Sequence, residues 1–235
     1  MNPAEYAAMD EAEGRMWWYR ALHTRLLDAV RGTPGPVLDA GCGTGGFLAV
    51  LRAEVPDCVG VEWSDAAVLR AARKSGALIA RGSVNALPFP DASFGAVVSA
   101  DVLCHAAVTP SLALAEMLRV LRPGGRLVVN MPAYAWLHSA HDHHVHNARR
   151  VTARALRDWL SRAGLVRVRA GYWNSLLLPL MVVQRKLLNR GAAASDVTIF
   201  PPWLDATLHA IATLERRTRL PLPFGGSVFA VGTRP

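Results

Sequence analysis

The stretch VLDAGCGTGGF, Val37 to Phe47, constrains this chain more than any other. Val37 and Leu38 read as the end of a buried strand, and Asp39 closes it. Gly41, Gly43, Gly45 and Gly46 make the turn that follows. Phe47, Leu48, Val50 and Leu51 then recur at helical spacing. A strand, a glycine turn and a helix start form the first half of a nucleotide-binding βαβ unit. Glycine serves there twice. It accepts positive φ, and its missing Cβ lets a ligand approach the backbone. The N–H groups at the helix start are free to donate to that ligand.

The neighbouring acids narrow the ligand. Gly41 to Gly46 satisfies the G-x-G-x-x-G pattern of dinucleotide sites. Asp39, two residues before the first glycine, would repel a pyrophosphate and pairs instead with a cationic amine. Glu62 ends the next strand in CVGVEWS, about 20 residues on, where an acid takes ribose hydroxyls. The two acids together select an adenosine that carries a charged amine. S-adenosylmethionine has that form. The turn residues Gly41, Cys42 and Gly43 then face it, and Trp63 offers a flat ring for adenine.

VLDAGCGTG followed by GVEWS resembles the class I S-adenosylmethionine-dependent methyltransferases. The likeness continues through RGSVNALPFPDASFGAVVSADVLCH and EMLRVLRPGGRLVVNMPAY. It is close from Val37 to Ala133 and looser elsewhere. The resemblance implies a Rossmann-like, doubly wound α/β sheet of seven strands, mostly parallel with an antiparallel last strand. It implies methyl transfer to the oxygen, nitrogen or carbon of a small-molecule acceptor, in secondary or cell-envelope metabolism. The family usually reads G-D-A-x-x-L-P-F where this chain has GSVNALPF from Gly82 to Phe89. The family's acid caps the adenine amino group, and Ser83 stands in its place here. Adenine selectivity then rests on Ser83, the backbone of Val84, or Asn85. Ligands of open α/β sheets sit beyond the carboxyl ends of the strands, so Ala100, Asp101 and His105 face the methyl donor. His105 also reads as a buried, hydrogen-bonded histidine.

Length and patterning imply a single domain over 1–235: a helical lid over 1–31, a cofactor-binding core over 36–172, an insertion over 173–226 and the last strand over 227–235. Further strands are expected at Cys58 to Glu62, Leu78 to Ala80, Phe94 to Ala100, Arg126 to Asn130, Leu165 to Tyr172 and Ser227 to Gly232. Helices are expected at Asp65 to Ala72 with Ser64 as N-cap, Ser111 to Leu121, Thr152 to Ala163, Leu176 to Leu188 and Leu204 to Arg217. The acidic start followed by Trp17-Trp18-Tyr19-Arg20 resembles the N-terminal helix of a subset of the family. There the helix folds over the cofactor. Arg20 would meet the methionine carboxylate, and Tyr19 and its neighbours would exclude water. A helix packed on the sheet edge by its tryptophans is the other reading.

The stretch Trp136 to Arg150 follows a strand's carboxyl end and overhangs the same site. It resembles an H-D-x-x-x-H-x-R-R-Y segment of a family subgroup. His141, Asp142, His146, Arg149 and Arg150 keep the pattern, and Val151 replaces the aromatic residue. A histidine oriented by an acid is a proton acceptor at neutral pH, so His141 with Asp142, His146 or His105 is the candidate base. Arg149 or Arg150 would hold an anionic acceptor through paired hydrogen bonds. A structural loop, with these groups satisfying backbone and one another, fits equally. Five histidines fall between His138 and His146. They lack metal-ligand spacing on one helix face, and no metal is expected.

Net charge is +8, but among 26 basic residues only Lys74 and Lys186 are lysines. No basic run of five appears, so the charge reads as a solvated surface or as matching an anionic acceptor. Nucleic acid is not the expected partner. A nucleic-acid enzyme should carry a base-holding segment after the fourth strand, where Asp101-Val102-Leu103-Cys104 stands. A non-catalytic binding module is the other alternative. Cys42, Cys58 and Cys104 are odd in number and widely spaced, which implies no disulfide framework. The amino terminus is no signal peptide. The longest apolar run, Leu176 to Val183, is too short to span a bilayer; it reads as a dimer interface or plain core, with contact to a membrane surface or a lipid-linked acceptor as the other reading. A cytoplasmic monomer or homodimer is expected.

Overall fold

The computed structural model describes residues 3–139, 142, 146–183, 200–218 and 222–235. Among them, seven strands form one sheet: β1 (Val37–Ala40), β2 (Cys58–Glu62), β3 (Leu78–Arg81), β4 (Phe94–Ala100), β5 (Leu121–Pro132), β6 (Val166–Trp173) and β7 (Ser227–Thr233). Their order is β3-β2-β1-β4-β5-β7-β6. The described helices are α1 (Pro3–Ala12), α2 (Trp17–Val30), α3 (Gly46–Glu54), α4 (Asp65–Ser75), α5 (Pro110–Val120), α6 (Ala153–Arg162), α7 (Leu178–Val183) and α8 (Pro202–Thr218).

The apolar strands are buried on both faces, as a parallel sheet requires. Side chains alternate between two layers. Val37, Ala96 and Val98 pack with α2, α3 and α8. Leu38, Ala40 and Val97 pack with α5 and α6. β1 lies parallel between β2 and β4, and β4 lies parallel to β5. β7 is antiparallel to both β5 and β6, as expected of the last strand. β1 leads to β2 on one side, while β4 lies on its other side. The winding therefore reverses between β1 and β4, and ligands of such sheets bind at that reversal. Gly41 follows β1 there, and Asp101 follows β4.

Three local features differ from the sequence reading. The amino-terminal segment is two helices, broken at residues 13–16. The first N–H of α2 has no cap from Met16; it donates instead to Asp205 Oδ1 of α8 at 2.6 Å. That bond satisfies an orphan donor at a helix start and docks the insertion onto α2. Residues 122–125, between the expected helix ending at Leu121 and the expected strand from Arg126, bulge out of β5: Phe94 faces Leu121, and Ala96 next faces Arg126. Ser64 holds the N-cap position of α4, but its side chain makes no capping bond. The expected helix from Leu176 to Leu188 is described only as α7, because its later residues lie outside the described segments.

Gly95 in β4 lies under the chain entering β1. A Cβ there would stand 1.8 Å from the Pro34 carbonyl oxygen, whereas at Gly171 nothing lies within 4 Å. Gly95→Ala should lower stability by about 1–3 kcal/mol in urea unfolding. Gly171→Ala should stay within about 0.5 kcal/mol of the parent.

Candidate active site

The glycine turn has the backbone that only glycine adopts freely. Gly41, Gly43 and Gly45 have φ of +89°, +53° and +88°. A Cβ on Gly41 would meet Val102 Cγ2 at 2.4 Å, and one on Gly45 would meet the Ala71 backbone at 2.7 Å. The turn is thus wedged between the loop after β4 and helix α4. Gly41 and Cys42 both donate to the Val61 carbonyl. Cys42 turns its side chain into the core against Gly60, so only its backbone can face a ligand. Burial pushes its thiol well up.

Two acids flank the turn. Glu62 Oε2 accepts the Gly43 N–H at 3.0 Å, and Oε1 accepts the Ser64 N–H at 3.0 Å. Asp39 is buried and receives no hydrogen bond from the described residues. Burial, then the negative charges of Glu13 and Glu62, push its carboxyl up to about 8. A buried carboxyl facing like charges suits a cationic partner.

A third acid was missed in the sequence. Glu13 reaches the start of α3, where it accepts the Thr44 hydroxyl and the Gly46 N–H. The acid thus lies where helix dipole and free N–H groups favour an anion. Lys74 of α4 pairs with Glu13 at 2.6 Å and with Asp10 of α1 at 2.5 Å. Arg70 also pairs with Asp10 at 3.0 Å. Tyr6 of α1 donates to Glu62 Oε1 at 3.4 Å, and burial pushes its phenol up to about 12. Met9 lies against Gly43. Helix α1 therefore seats on the glycine turn. The acidic run Asp10, Glu11 and Glu13, with few lysines elsewhere, was the available signal.

The other predicted residues fall as follows. Arg20 pairs with Asp205 of α8, so the guanidinium is committed to the insertion. Tyr19 meets Trp18 edge-on at 5.1 Å. Trp63 is 72% exposed beside Glu62. Ser83 Oγ accepts the Asn85 N–H at 3.2 Å. The Asn85 side chain is consumed by Thr109 N–H and the Ala107 carbonyl, which removes it from adenine selection. Val84 is buried, and Ala100 ends β4 half-buried.

Asp101 has φ +53°, uncommon for a residue with a side chain. Its N–H donates to the Asn130 carbonyl, and its Oδ1 accepts Asn130 Nδ2 at 3.0 Å. Burial raises its carboxyl to about 6, against the pull of Asn130 and Arg150.

The His/Arg loop divides. Asp142 is buried and gripped by Arg150, with Nη2 at 2.9 Å from each carboxylate oxygen. Arg150 also donates to the Ala133 carbonyl at 3.1 Å. Arg149 donates to the His105 carbonyl at 2.6 Å, which ties the loop to the segment after β4. Arg150 is therefore a structural strut and is removed as an acceptor ligand. His146 is exposed with φ +57° and lines a hollow of about 270 Å³ with Ala106, His138, Asp142, Asn147 and Ala148. His141 lies outside the described residues.

The family described as a methyltransferase domain matches residues 38–129. Residues 38–129 are thus similar to a methyltransferase domain, in line with the class I S-adenosylmethionine-dependent family that the sequence resembles. It is 43% identical over 115 residues to a demethylmenaquinone methyltransferase of Beutenbergia cavernae, covering 48% of this chain and 45% of the relative. It is 33% identical over 127 residues to 24-methylenesterol C-methyltransferase 2 of Oryza sativa subsp. japonica, covering 50% and 34%. The fold is that of an S-adenosylmethionine-dependent methyltransferase from Thermotoga maritima, at TM-score 0.63 and 21% identity over 99% of this chain and 95% of that one. The chain spans less than half the length of both curated relatives named. Asp39 and the bare glycine backbone fit the cofactor of this family: a buried acid faces like charges, and no Cβ fills the turn.

The Asp39 carboxyl lies far above its unfolded value near 3.9. The folded state therefore holds this proton more tightly, and stability is lost as pH rises from about 4 through about 8. Asp39→Asn should flatten that decline and be more stable than the parent at pH 8 by roughly 1–3 kcal/mol, read from urea unfolding at several pH values. At the strut, Asp142→Ala should cost about 3–5 kcal/mol, because a buried Arg150 loses its partner. The double change Asp142→Leu with Arg150→Met should cost markedly less in the same assay.

Proposed function

We propose that this protein transfers the methyl group of S-adenosylmethionine to a small-molecule acceptor with an apolar body. The carrying observation is the pair Asp39 and Glu62 near the carboxyl ends of adjacent strands, with the Gly43 N–H held by Glu62. When bound, S-adenosylmethionine supplies a methyl already activated on a sulfonium, so the protein's task is alignment and exclusion of water. Asp39 balances the amine. Glu62 takes the ribose hydroxyls, which the Tyr6 hydroxyl must then yield. Gly41, Cys42 and Gly43 offer backbone, Ser83 and the Val84 backbone read the adenine edge, and Trp63 stacks on its face. Helix α1 covers the turn.

The acceptor side is built around aromatic and apolar groups. Tyr134 stacks on Trp136 at 5.7 Å and on Tyr172 at 5.2 Å, where β5 and β6 end. Leu176, Leu180 and Phe224 are exposed on the insertion side. These surfaces, and the relatives named for demethylmenaquinone and 24-methylenesterol, support an apolar acceptor reached at or near a membrane surface. No helix among the described residues is long and apolar enough to cross a membrane. The insertion covers the acceptor. His105 or His146, with His141, takes its proton where it has one, and Arg149 holds an anionic group. Three buried free thiols, Cys42, Cys58 and Cys104, accord with a reducing cytoplasm.

Calorimetry with S-adenosylmethionine tests the reading. The parent should bind, and Asp39→Asn and Glu62→Gln should each weaken binding roughly tenfold to a hundredfold, about 1.4–2.8 kcal/mol. Incubation with isoprenoid quinols and sterols should release S-adenosylhomocysteine. A parent protein that ignores S-adenosylmethionine refutes the assignment.

A further inference from the structure

A buried polar chain runs from the sixth strand to the cofactor edge of the fourth. The Trp173 indole donates to Asn130 Oδ1 at 2.8 Å, and Asn130 Nδ2 donates to Asp101 Oδ1 at 3.0 Å. Trp173 and Asn130 are almost wholly buried. An indole N–H can only donate, so the amide must turn its oxygen toward Trp173. Its NH2 is thereby directed at Asp101, which must accept. Trp173 is itself fixed from outside the sheet. Trp18 stacks on it at 6.0 Å, and the Arg25 guanidinium lies 5.0 Å over its ring. Asp101 Oδ2 receives no hydrogen bond from the described residues.

We propose that Asn130, locked in one amide orientation by the Trp173 indole, is a positioning residue that holds Asp101 as an acceptor for the cationic end of the cofactor. The proposal rests on the function proposed above for its ligand, but the hold on Asp101 is testable without any ligand. Other groups also face this carboxyl. Arg150 favours its ionised form, Asp142 opposes it, and the neighbouring Cys104 thiol is held neutral by burial. Asn130 adds a donor aimed at one oxygen, and strand pairing of Ala100 with Asn130 keeps the two in register.

The test follows the Asp101 carboxyl by carbon-13 NMR titration in the ligand-free protein. The parent should titrate near pH 6. Asn130→Ala should raise the midpoint by about one unit, since an ionised carboxylate loses a donor. Trp173→Phe should raise it less, because the amide remains but is free to turn. In calorimetry, S-adenosylmethionine binding by Asn130→Ala should weaken more at pH 6 than at pH 8. A merely structural Asn130 would lower stability and leave the Asp101 midpoint unmoved. Should Asn130→Ala fail to fold, Trp173→Phe, which removes the indole N–H and leaves Asn130 in place, carries the same comparison. Coincident midpoints in parent and variants overturn the proposal. Shifted midpoints in a protein that binds no S-adenosylmethionine would leave Asn130's hold on Asp101 standing and end its cofactor role along with the functional reading.

Discussion

Three carboxylates gathered on one glycine turn are the constraint around which the upper edge of this sheet is arranged. Asp39 lies one residue before the end of β1, Glu62 ends β2, and Glu13 arrives from the amino-terminal segment. Burial pushes all three upward, and the charges of Glu13 and Glu62 push Asp39 up further. Each is met differently. Glu62 is held by backbone N–H groups, Glu13 by the start of α3 and by Lys74, and Asp39 by no described donor. Uncompensated negative charge in a low-dielectric cleft is costly. The same cost is what gives a cationic ligand its advantage there.

Much of the remaining framework keeps that edge in register. Asp101 lies across the winding reversal from Gly41, with Val102 packed where a Gly41 side chain would be. Asn130 and Trp173 extend the connection through β5 to β6, and α2 closes it from outside through Trp18 and Arg25. The amino-terminal helices and the insertion are likewise joined by Asp205, which meets both the Trp17 N–H and Arg20. Segments far apart in the chain thus share a single support around the site.

The His/Arg loop shows why residue type alone does not settle a role. His, Asp and Arg in that order suit proton transfer and also suit a loop that satisfies itself. Burial separates the two for part of the loop. Asp142 and Arg150 are withdrawn from solvent and bonded to each other, while His146 is exposed. The family match spans residues 38–129, within the cofactor core.

The sheet, its winding and the cofactor turn were legible in the chain because their signals are local. Short continuous apolar runs mark the strands buried on both faces, and glycine at 41, 43 and 45 marks backbone that side chains resist. Asp39 and Glu62 were legible because a βαβ unit places strand tips side by side. Glu13, Tyr6 and Lys74 were not, since nothing near them in sequence shows that α1 folds back onto the turn. Nor does sequence show that Asp205 claims Arg20, that Arg150 claims Asp142, or that Trp173 orients Asn130. Those pairings join residues 8 to 185 positions apart. Only packing decides them, because a buried donor or charge takes the partner that the tertiary fold brings within reach.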